Sequence, residues 1–203
     1  MTTSMGSADW DRRYAGRELL WTARPNRFLV AETEALAPGR ALDLACGEGR
    51  NAVWLAERGW RVTAVDFSGV ALAKGRELAA ARGVAVDWVR ADLLEHRPEP
   101  YGFDLVAILY LQLTAPERRT VLRRAADAVA PGGTLVLVAH DSSNLDHGCG
   151  GPQSPSVLYT PADVAADLDG SGLALERADV VERPVEGEGV ALDALVRARR
   201  PAP

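Results

Sequence analysis

Apolar runs of strand length alternate with helix-length segments along most of this chain of 203 residues. This alternation is typical of β-α-β units, whose right-handed crossovers build a parallel sheet with helices on both faces. We therefore predict an α/β fold with a doubly wound sheet. The predicted strands lie at 40–46, 60–65, 84–89, 103–109 and 134–139, and the predicted helices at 51–58, 69–82 and 116–130. A short helix at 161–168 and an antiparallel hairpin of strands at 174–183 and 190–199 are predicted to follow.

Composition excludes several classes of protein and of partner. Hydrophobic residues make up 47% and charged residues 25%, which is typical of globular domains rather than disordered or collagen-like chains. The net charge is −5, so we expect neither a nucleic-acid nor a membrane partner. No apolar run reaches the roughly 18 residues of a membrane span, and the first residues lack the pattern of a signal peptide. With two cysteines outside any CxxC pair, we expect a cytoplasmic protein without a disulfide.

A glycine turn follows the first predicted strand. Gly47 and Gly49 would let the backbone approach a ligand, and the next helix would direct N–H groups at it. Asp66 ends the second strand 17 residues after Gly49, and Asp92 follows the third strand. These carboxylates are placed to bind a ribose and an adenine, so the pattern predicts a nucleoside site. A structural turn without a ligand is the alternative, and an NAD dehydrogenase would need a second nucleotide-binding half that 203 residues hardly accommodate.

Five segments carry a family resemblance, and they occur in a characteristic order. They are 41–51 (ALDLACGEGRN), 62–68 (VTAVDFS), 91–93 (ADL), 103–106 (FDLV) and 130–135 (APGGTL). Over residues 36–140 this order resembles that of class I S-adenosylmethionine-dependent methyltransferases. The resemblance implies a Rossmann-like sheet of seven strands with the last strand antiparallel, S-adenosyl-L-methionine as the cofactor and S-adenosyl-L-homocysteine as the product. The CGEGRN variant and the short chain are similar to the small-molecule branch with the tellurite-resistance and thiopurine methyltransferases.

The resemblance also implies which residues contact the cofactor. Asp43 and the backbone of 45–49 would lie near the methionine moiety, and Asp66 would bind the ribose. Residues 1–30 would cover the cofactor and 31–200 would form the methyltransferase domain, although the N-terminal aromatics could equally pack a helix onto the domain. The implied contacts are Tyr14, Trp21, Asp43, Ala45, Cys46, Gly47, Gly49, Asn51, Asp66, Phe67, Ser68, Asp92, Leu93 and Leu109.

Catalytic residues follow from the chemistry of methyl transfer. The reaction is a displacement on an activated sulfonium, so a general base is required only where the acceptor must lose a proton. His140 is the candidate base, with Asp141 to orient it, and Tyr110 is a further candidate contact of the acceptor. A metal is not expected, because Asp141 and Asn144 are the only plausible magnesium ligands in the segment that follows.

The segment 141–159 is rich in glycine and proline and lacks a repeating pattern. A long loop of this kind inside a compact domain is typically functional, so we predict that it forms the wall of the acceptor site. We expect a monomer or homodimer that methylates a small molecule, with a thiol or chalcogen as the nucleophile. O- or N-methylation of a small metabolite, or a regulatory module that binds the cofactor without turnover, are the alternatives.

Overall fold

The computed structural model describes residues 6–16 and 18–202 of the chain. Seven strands form one sheet in the order β3-β2-β1-β4-β5-β7-β6, and β7 runs antiparallel to both of its neighbours. The predicted doubly wound α/β fold with an antiparallel last strand is confirmed. The strands are β1 (Arg40–Leu44), β2 (Arg61–Asp66), β3 (Asp87–Arg90), β4 (Phe103–Leu109), β5 (Val129–His140), β6 (Ala174–Val185) and β7 (Gly189–Arg199). The helices are α1 (Ser7–Tyr14), α2 (Arg27–Thr33), α3 (Arg50–Glu57), α4 (Gly69–Arg82), α5 (Ala115–Ala128), α6 (Asn144–His147) and α7 (Pro161–Leu168).

Both faces of the sheet are covered, which explains the apolar strands. Leu105 to Ile108 in β4 are fully buried, because helices pack on either side of a central parallel strand. One apolar cluster joins β1, β4 and β5 to α5 and α7, and a second joins the same strands to α2, α3 and α4. The rigid centre of the sheet thereby fixes the strand ends on which a site can be built.

Local signals in the sequence explain several helix ends. The Ser68 side chain accepts a hydrogen bond from the Ala71 amide at 3.1 Å and begins α4, and Gly83 ends that helix with φ 67°. Thr160 caps α7 in a reciprocal arrangement with Asp163, as expected for a threonine that precedes a proline at the first helical position. These three ends fall where the sequence predicts them.

Other boundaries differ from the sequence-based expectation. β3 pairs with β2 only from Asp87 to Arg90, because the amide of Val84 still bonds to the end of α4. β5 begins at Val129 rather than at 134, since its first residue pairs with Phe103 across a register shift. The 141–159 loop contains α6 and a turn of 3₁₀ helix at Pro155–Val157, which are too short to show a periodicity. Among the described helices, none is both long and apolar enough to cross a membrane.

Candidate active site

The candidate side chains lie in a row at the carboxyl edge of the parallel strands. Asp66 ends β2, Ala45 follows β1, Tyr110 follows β4 and His140 ends β5. Because these strands are neighbours in the order β3-β2-β1-β4-β5, residues distant in sequence meet along one edge. The carboxyl ends of the strands are where open α/β sheets bind their ligands.

One end of this row borders a cavity of about 430 Å³, a volume within the range of small-molecule sites. Five predicted cofactor contacts line it, and α1 contributes a wall through its first residues. The predicted contacts in the wall are Ala45, Asp66, Phe67, Asp92 and Leu93. The remaining lining residues are Gly6, Ser7, Arg90, Ala91, Leu94, Leu111 and Leu113. Leu111 and Leu113, which follow β4, were not predicted from the sequence, which indicated Leu109 at the end of that strand instead.

The acidic residues at the two strand ends are held by backbone amides. Asp66 accepts hydrogen bonds from the amides of Gly47 at 2.8 Å and Ser68 at 2.9 Å. Burial raises the pKa of Asp66, and these hydrogen bonds lower it. Burial is the larger effect, so the pKa stays above its ordinary value. Asp92 accepts from the amide of Leu94 at 2.9 Å and is exposed at the cavity. Each carboxylate oxygen has more than one lone pair, so both groups can still accept hydrogen bonds from a ligand.

The glycine turn is required by its surroundings as well as by its backbone. Gly47 has φ 54°, and a Cβ there would lie 3.0 Å from the Tyr14 hydroxyl. Gly49 has φ 77°, and a Cβ there would lie 2.3 Å from the Trp88 ring. A side chain at either position would therefore be strained and would also clash, so only glycine fits both positions.

Asp43 is a buried acid without a hydrogen-bond partner. Its side chain is 1% exposed, and neither carboxylate oxygen bonds to any described residue. Burial, followed by the nearby charge of Asp66, raises the pKa of Asp43 to about 7, although Arg50 opposes the shift. A buried carboxylate of this kind is stabilised by a cation. The site therefore fits a ligand that carries a positive group, as S-adenosylmethionine does on its methionine moiety.

The N-terminal segment is attached to the glycine turn by a buried carboxylate. Glu48 accepts hydrogen bonds from the amides of Leu20 at 3.0 Å and Trp21 at 3.2 Å. Lys74 of α4 forms an ion pair with Glu48 at 3.0 Å. Glu48 belongs to the CGEGRN segment, but the sequence carries no signal for a role of its side chain, and Lys74 belongs to none of the five segments.

Helix α1 makes further contacts to the nucleoside half of the site. The Ser68 hydroxyl donates to Asp11 at 2.6 Å, and Tyr14 is buried against the glycine turn. Trp21 is 43% exposed, its backbone amide bonds to Glu48, and its side chain bonds to Tyr14. Residues 1–5 and 17 of the predicted cover lie outside the described residues.

A second polar cluster lies at the other end of the row, after β4 and on β5, β6 and β7. The Tyr110 hydroxyl donates to Asp193 at 2.8 Å, and Arg183 donates to the same carboxylate oxygen at 2.7 Å. His140 Nδ1 lies 3.4 Å from the other oxygen of Asp193, and its ring centre lies 4.8 Å from that of Tyr110. His140 and Tyr110 are thus brought together as candidate contacts of the acceptor, around a carboxylate that the sequence argument did not single out.

Asp141 does not have the place that the sequence argument gave it. Its Oδ1 accepts from the amide of Ser143 at 2.9 Å and from the Ser143 hydroxyl at 2.6 Å. Successive side chains along a strand point to opposite faces, so the residue after His140 is directed away from the imidazole. Asp193, directly across from His140 in the β5·β7 pairing, is the carboxylate beside the imidazole instead.

Nine of the predicted contacts do not line the cavity: Tyr14, Trp21, Asp43, Gly47 and Gly49, described above, and Cys46, Asn51, Ser68 and Leu109. Cys46 and Leu109 are buried in the apolar cluster beside α2 and α3, and burial raises the pKa of the Cys46 thiol. Asn51 accepts a hydrogen bond from the amide of Asn26 at 2.8 Å, and Ser68 caps α4. These residues shape the glycine turn and its neighbours from behind.

Comparison with known proteins agrees with this architecture. Residues 41–133 match a family model described as a methyltransferase domain. The strand order of the sheet, with its antiparallel β7, is that of the class I enzymes. Residues 41–133 thus resemble a methyltransferase domain, and the sheet has the fold of the class I enzymes.

Curated relatives and solved structures extend the likeness. A demethylmenaquinone methyltransferase of Thermus thermophilus is 36% identical over 126 residues, which are 61% of this chain and 55% of that protein. A ubiquinone biosynthesis O-methyltransferase of Pseudomonas aeruginosa is 33% identical over 109 residues, which are 53% of this chain and 47% of that protein. The matched segments thus span about half the length of these relatives. TehB from Haemophilus influenzae shares the fold of this chain, with TM-score 0.71, 16% identity, and coverage of 96% of this chain and 66% of that one.

Proposed function

We propose that this protein is an S-adenosylmethionine-dependent methyltransferase that acts on a small molecule. The observation that carries the proposal is the cavity between α1 and the strand ends, with Asp66 and Asp92 at its nucleoside half and the unpaired Asp43 behind the glycine turn. When bound, the cofactor supplies an electrophilic methyl group on a sulfonium. The residues of the chain then bind, orient and desolvate the reactants.

Each part of the site has a role in this proposal. Asp66 accepts hydrogen bonds from the ribose, Asp92 contacts the adenine edge, and Asp43 offers its charge to the methionine moiety. The N-terminal segment, held by Glu48, covers the cofactor and excludes water. The cluster of Tyr110 and His140 faces the acceptor, which the 141–159 loop encloses.

We further propose that the acceptor is a soft or readily ionised nucleophile, with a thiol or a chalcogen anion as the leading class. A thiolate attacks without help from a base, whereas an aliphatic alcohol needs a strong one. His140 is the candidate base in the cluster, and an imidazole is too weak a base for an aliphatic alcohol. A phenol or an amine is the alternative acceptor.

Calorimetry with S-adenosylmethionine, S-adenosylhomocysteine and NAD tests the cofactor assignment. We expect the first two to bind and NAD not to bind. Asp66→Ala removes the acceptor of the ribose hydroxyls and is expected to weaken binding by about 1–3 kcal/mol, or about 5- to 150-fold. Asp104→Ala is the matched control, because Asp104 caps the opposite edge of the sheet through the amide of Arg40. Equal affinities for the two variants would contradict the ribose assignment.

An acceptor panel of a thiol, selenite, a phenol and an amine tests turnover. Methylation of the thiol or the selenite supports the leading class, and methylation of only the phenol or the amine supports the alternative. Cofactor binding without methylation of any acceptor would contradict the enzyme proposal and favour a regulatory module.

A further inference from the structure

Asp193 is a buried carboxylate to which the cofactor assignment gives no role. It lies on β7 directly opposite His140 of β5, and its side chain has no exposed surface. The nucleoside half of the site is built on β1, β2 and β3, so Asp193 belongs to the side where an acceptor would bind. A buried charge costs several kcal/mol unless hydrogen-bond donors surround it, and three side chains do so here.

The partners of Asp193 keep it ionised and leave it able to orient a neighbour. Burial raises its pKa, but the adjacent His140 and the hydrogen bonds from Arg183 and Tyr110 outweigh burial and hold the pKa below the ordinary value. Arg183 and Tyr110 both donate to Oδ2. The other oxygen, Oδ1, lies 3.4 Å from His140 Nδ1.

Tyr110 is held as a donor and is therefore unsuited to be the base. Its hydroxyl proton is directed to Asp193, while its oxygen accepts from Asn26 Nδ2 at 3.2 Å. Burial raises the pKa of Tyr110 far above neutrality. The amide of Asn26 bonds to Asn51 at the start of α3, so this chain of contacts also ties the cluster to the glycine turn.

The imidazole of His140 is held in place, and one nitrogen is left open. It packs against the Tyr110 ring, and a Cβ on Gly151 would lie 2.9 Å from its Nδ1. Nδ1 is buried and makes no hydrogen bond to a described residue, and Oδ1 of Asp193 lies 3.4 Å from it. The distance of 3.4 Å is longer than an ordinary N–H···O bond, as is common for catalytic pairs before substrate binds. No hydrogen bond to a described residue engages Nε2, and Nε2 is not among the buried atoms without a partner.

We propose, on the basis of the methyl transfer proposed above, that Asp193 is a positioning residue that holds His140 in the Nδ1–H tautomer. Nε2 then accepts the proton of a weakly acidic acceptor. As the X–H bond of the acceptor gives its proton to Nε2, the freed electron pair forms the bond from X to the methyl carbon. The pair of the broken carbon–sulfur bond stays on sulfur, so charge and atoms balance.

This arrangement selects a class of acceptor. A thiol has a pKa of about 8.5 and a phenol about 10, within a few units of an imidazole, whereas an aliphatic alcohol lies far beyond it. His140 therefore assists thiols and phenols at pH values below their own pKa, where they are still protonated. Among the described residues, Tyr110 after β4 and Asp193 of β7 lie against His140. Arg183 of β6 bonds to Asp193, and the charges of Arg183 and of Arg50 in α3 act on Tyr110.

Nitrogen NMR of the histidine side chains in the intact protein without cofactor tests the tautomer. The chain has three histidines, so His96→Gln and His147→Gln complete the assignment. We expect the neutral His140 to carry its proton on Nδ1. Asp193→Asn keeps the shape but can offer an N–H to Nδ1, and it is expected to move the proton to Nε2. Asp141→Asn, which alters the adjacent carboxylate, is the matched control and is expected to leave the tautomer as it is.

The kcat for methylation of 2-mercaptoethanol tests whether His140 acts as a base. At pH 7 we expect Asp193→Asn and His140→Ala to lower kcat about 10²-fold. Above the pKa of the thiol the loss should fall below tenfold, because the thiolate no longer needs a base. The Kd of S-adenosylmethionine should change less than twofold.

The NMR and the kinetic measurements distinguish the role of Asp193 from the proposed methyl transfer. An Nε2–H tautomer in the wild-type protein, or an unchanged tautomer in Asp193→Asn, would overturn the role of Asp193; the wild-type spectrum alone suffices if the variant does not fold. A loss of kcat that persists undiminished above the pKa of the thiol would also overturn it. The expected tautomers without methylation of any acceptor would overturn the proposed methyl transfer and leave the orientation of His140 standing.

Discussion

Replacing Glu48 by glutamine should release the N-terminal segment from the glycine turn. Glu48 is 4% exposed and Lys74 14% exposed, so the variant leaves a largely buried ammonium without its carboxylate. It also weakens the bonds to the amides of Leu20 and Trp21. The ion pair with Lys74 persists when the segment opens, so the opening depends on the two amide bonds. Hydrogen bonds to a charged group contribute about 1.5–3 kcal/mol each, so we expect the loss of the charge to cost about 3 kcal/mol. A loss of about 3 kcal/mol is about 100-fold in the opening equilibrium of the segment.

Hydrogen exchange measures this opening directly. The amides of Leu20 and Trp21 should exchange about 100-fold faster in Glu48→Gln than in the wild-type protein. Glu57→Gln is the matched control, because Glu57 pairs with Arg82 at the same 3.0 Å distance but both side chains are substantially exposed. An exposed pair contributes less than about 1 kcal/mol, so the control should not change exchange in the N-terminal segment.

The exchange rates in the two variants decide whether Glu48 holds the N-terminal segment. If Leu20 and Trp21 exchange as slowly in Glu48→Gln as in Glu57→Gln, the carboxylate does not hold the segment. Cofactor should raise protection of residues 7–26 further, because α1 walls the cavity. Equal protection with and without S-adenosylmethionine would favour simple packing of the segment over a cofactor cover.

Three further predictions concern Asp43 and two glycines that lie close to aromatic rings. Because the pKa of Asp43 is raised from 3.8 to about 7, its burial costs nothing below pH 4 and up to about 4 kcal/mol above pH 7. Asp43→Asn should therefore gain stability relative to wild type as pH rises from 4 to 7 in urea titrations, and a difference constant with pH would contradict this. Gly75→Ala should lower the free energy of unfolding, measured in urea, by about 1–2 kcal/mol, because the new Cβ would lie 2.6 Å from the Trp88 ring. This loss is expected although alanine has a higher helix propensity than glycine; a gain in stability would show that the ring moves freely. Gly151→Ala should lower kcat about tenfold with unchanged cofactor affinity, since its Cβ would press on His140; unchanged kcat would remove this loop from the acceptor wall.

Local patterns were sufficient for much of the nucleoside half of the site. The glycine turn, Asp66 and Asp92 lie directly after strands, and strand ends can be predicted from apolar runs and glycine alone. In a parallel sheet the carboxyl ends of successive strands share one edge, so the prediction that these residues converge follows from the fold class. The cavity lined by Asp66 and Asp92 lies where that argument puts it.

The same reasoning failed where it relied on adjacency in sequence. Asp141 follows His140 in the chain, but side chains along a strand alternate between faces, and Asp141 bonds to Ser143 instead. Leu109 belongs to the buried face of β4 for the same reason, and the cavity is lined by Leu111. Neighbouring positions in sequence are thus weak guides to neighbouring side chains in a sheet.

The sequence by itself determined the class of fold, the turn and the acidic strand ends, because each depends on a few consecutive residues. Only the tertiary structure decided the partners of His140 and Glu48. The antiparallel register of β5 and β7 places Asp193 across from His140, and a slip of one residue would turn that carboxylate to the other face. Likewise, packing of α4 brings Lys74 to Glu48. Such pairings join residues far apart in the chain, so no local pattern of apolar and polar residues records them.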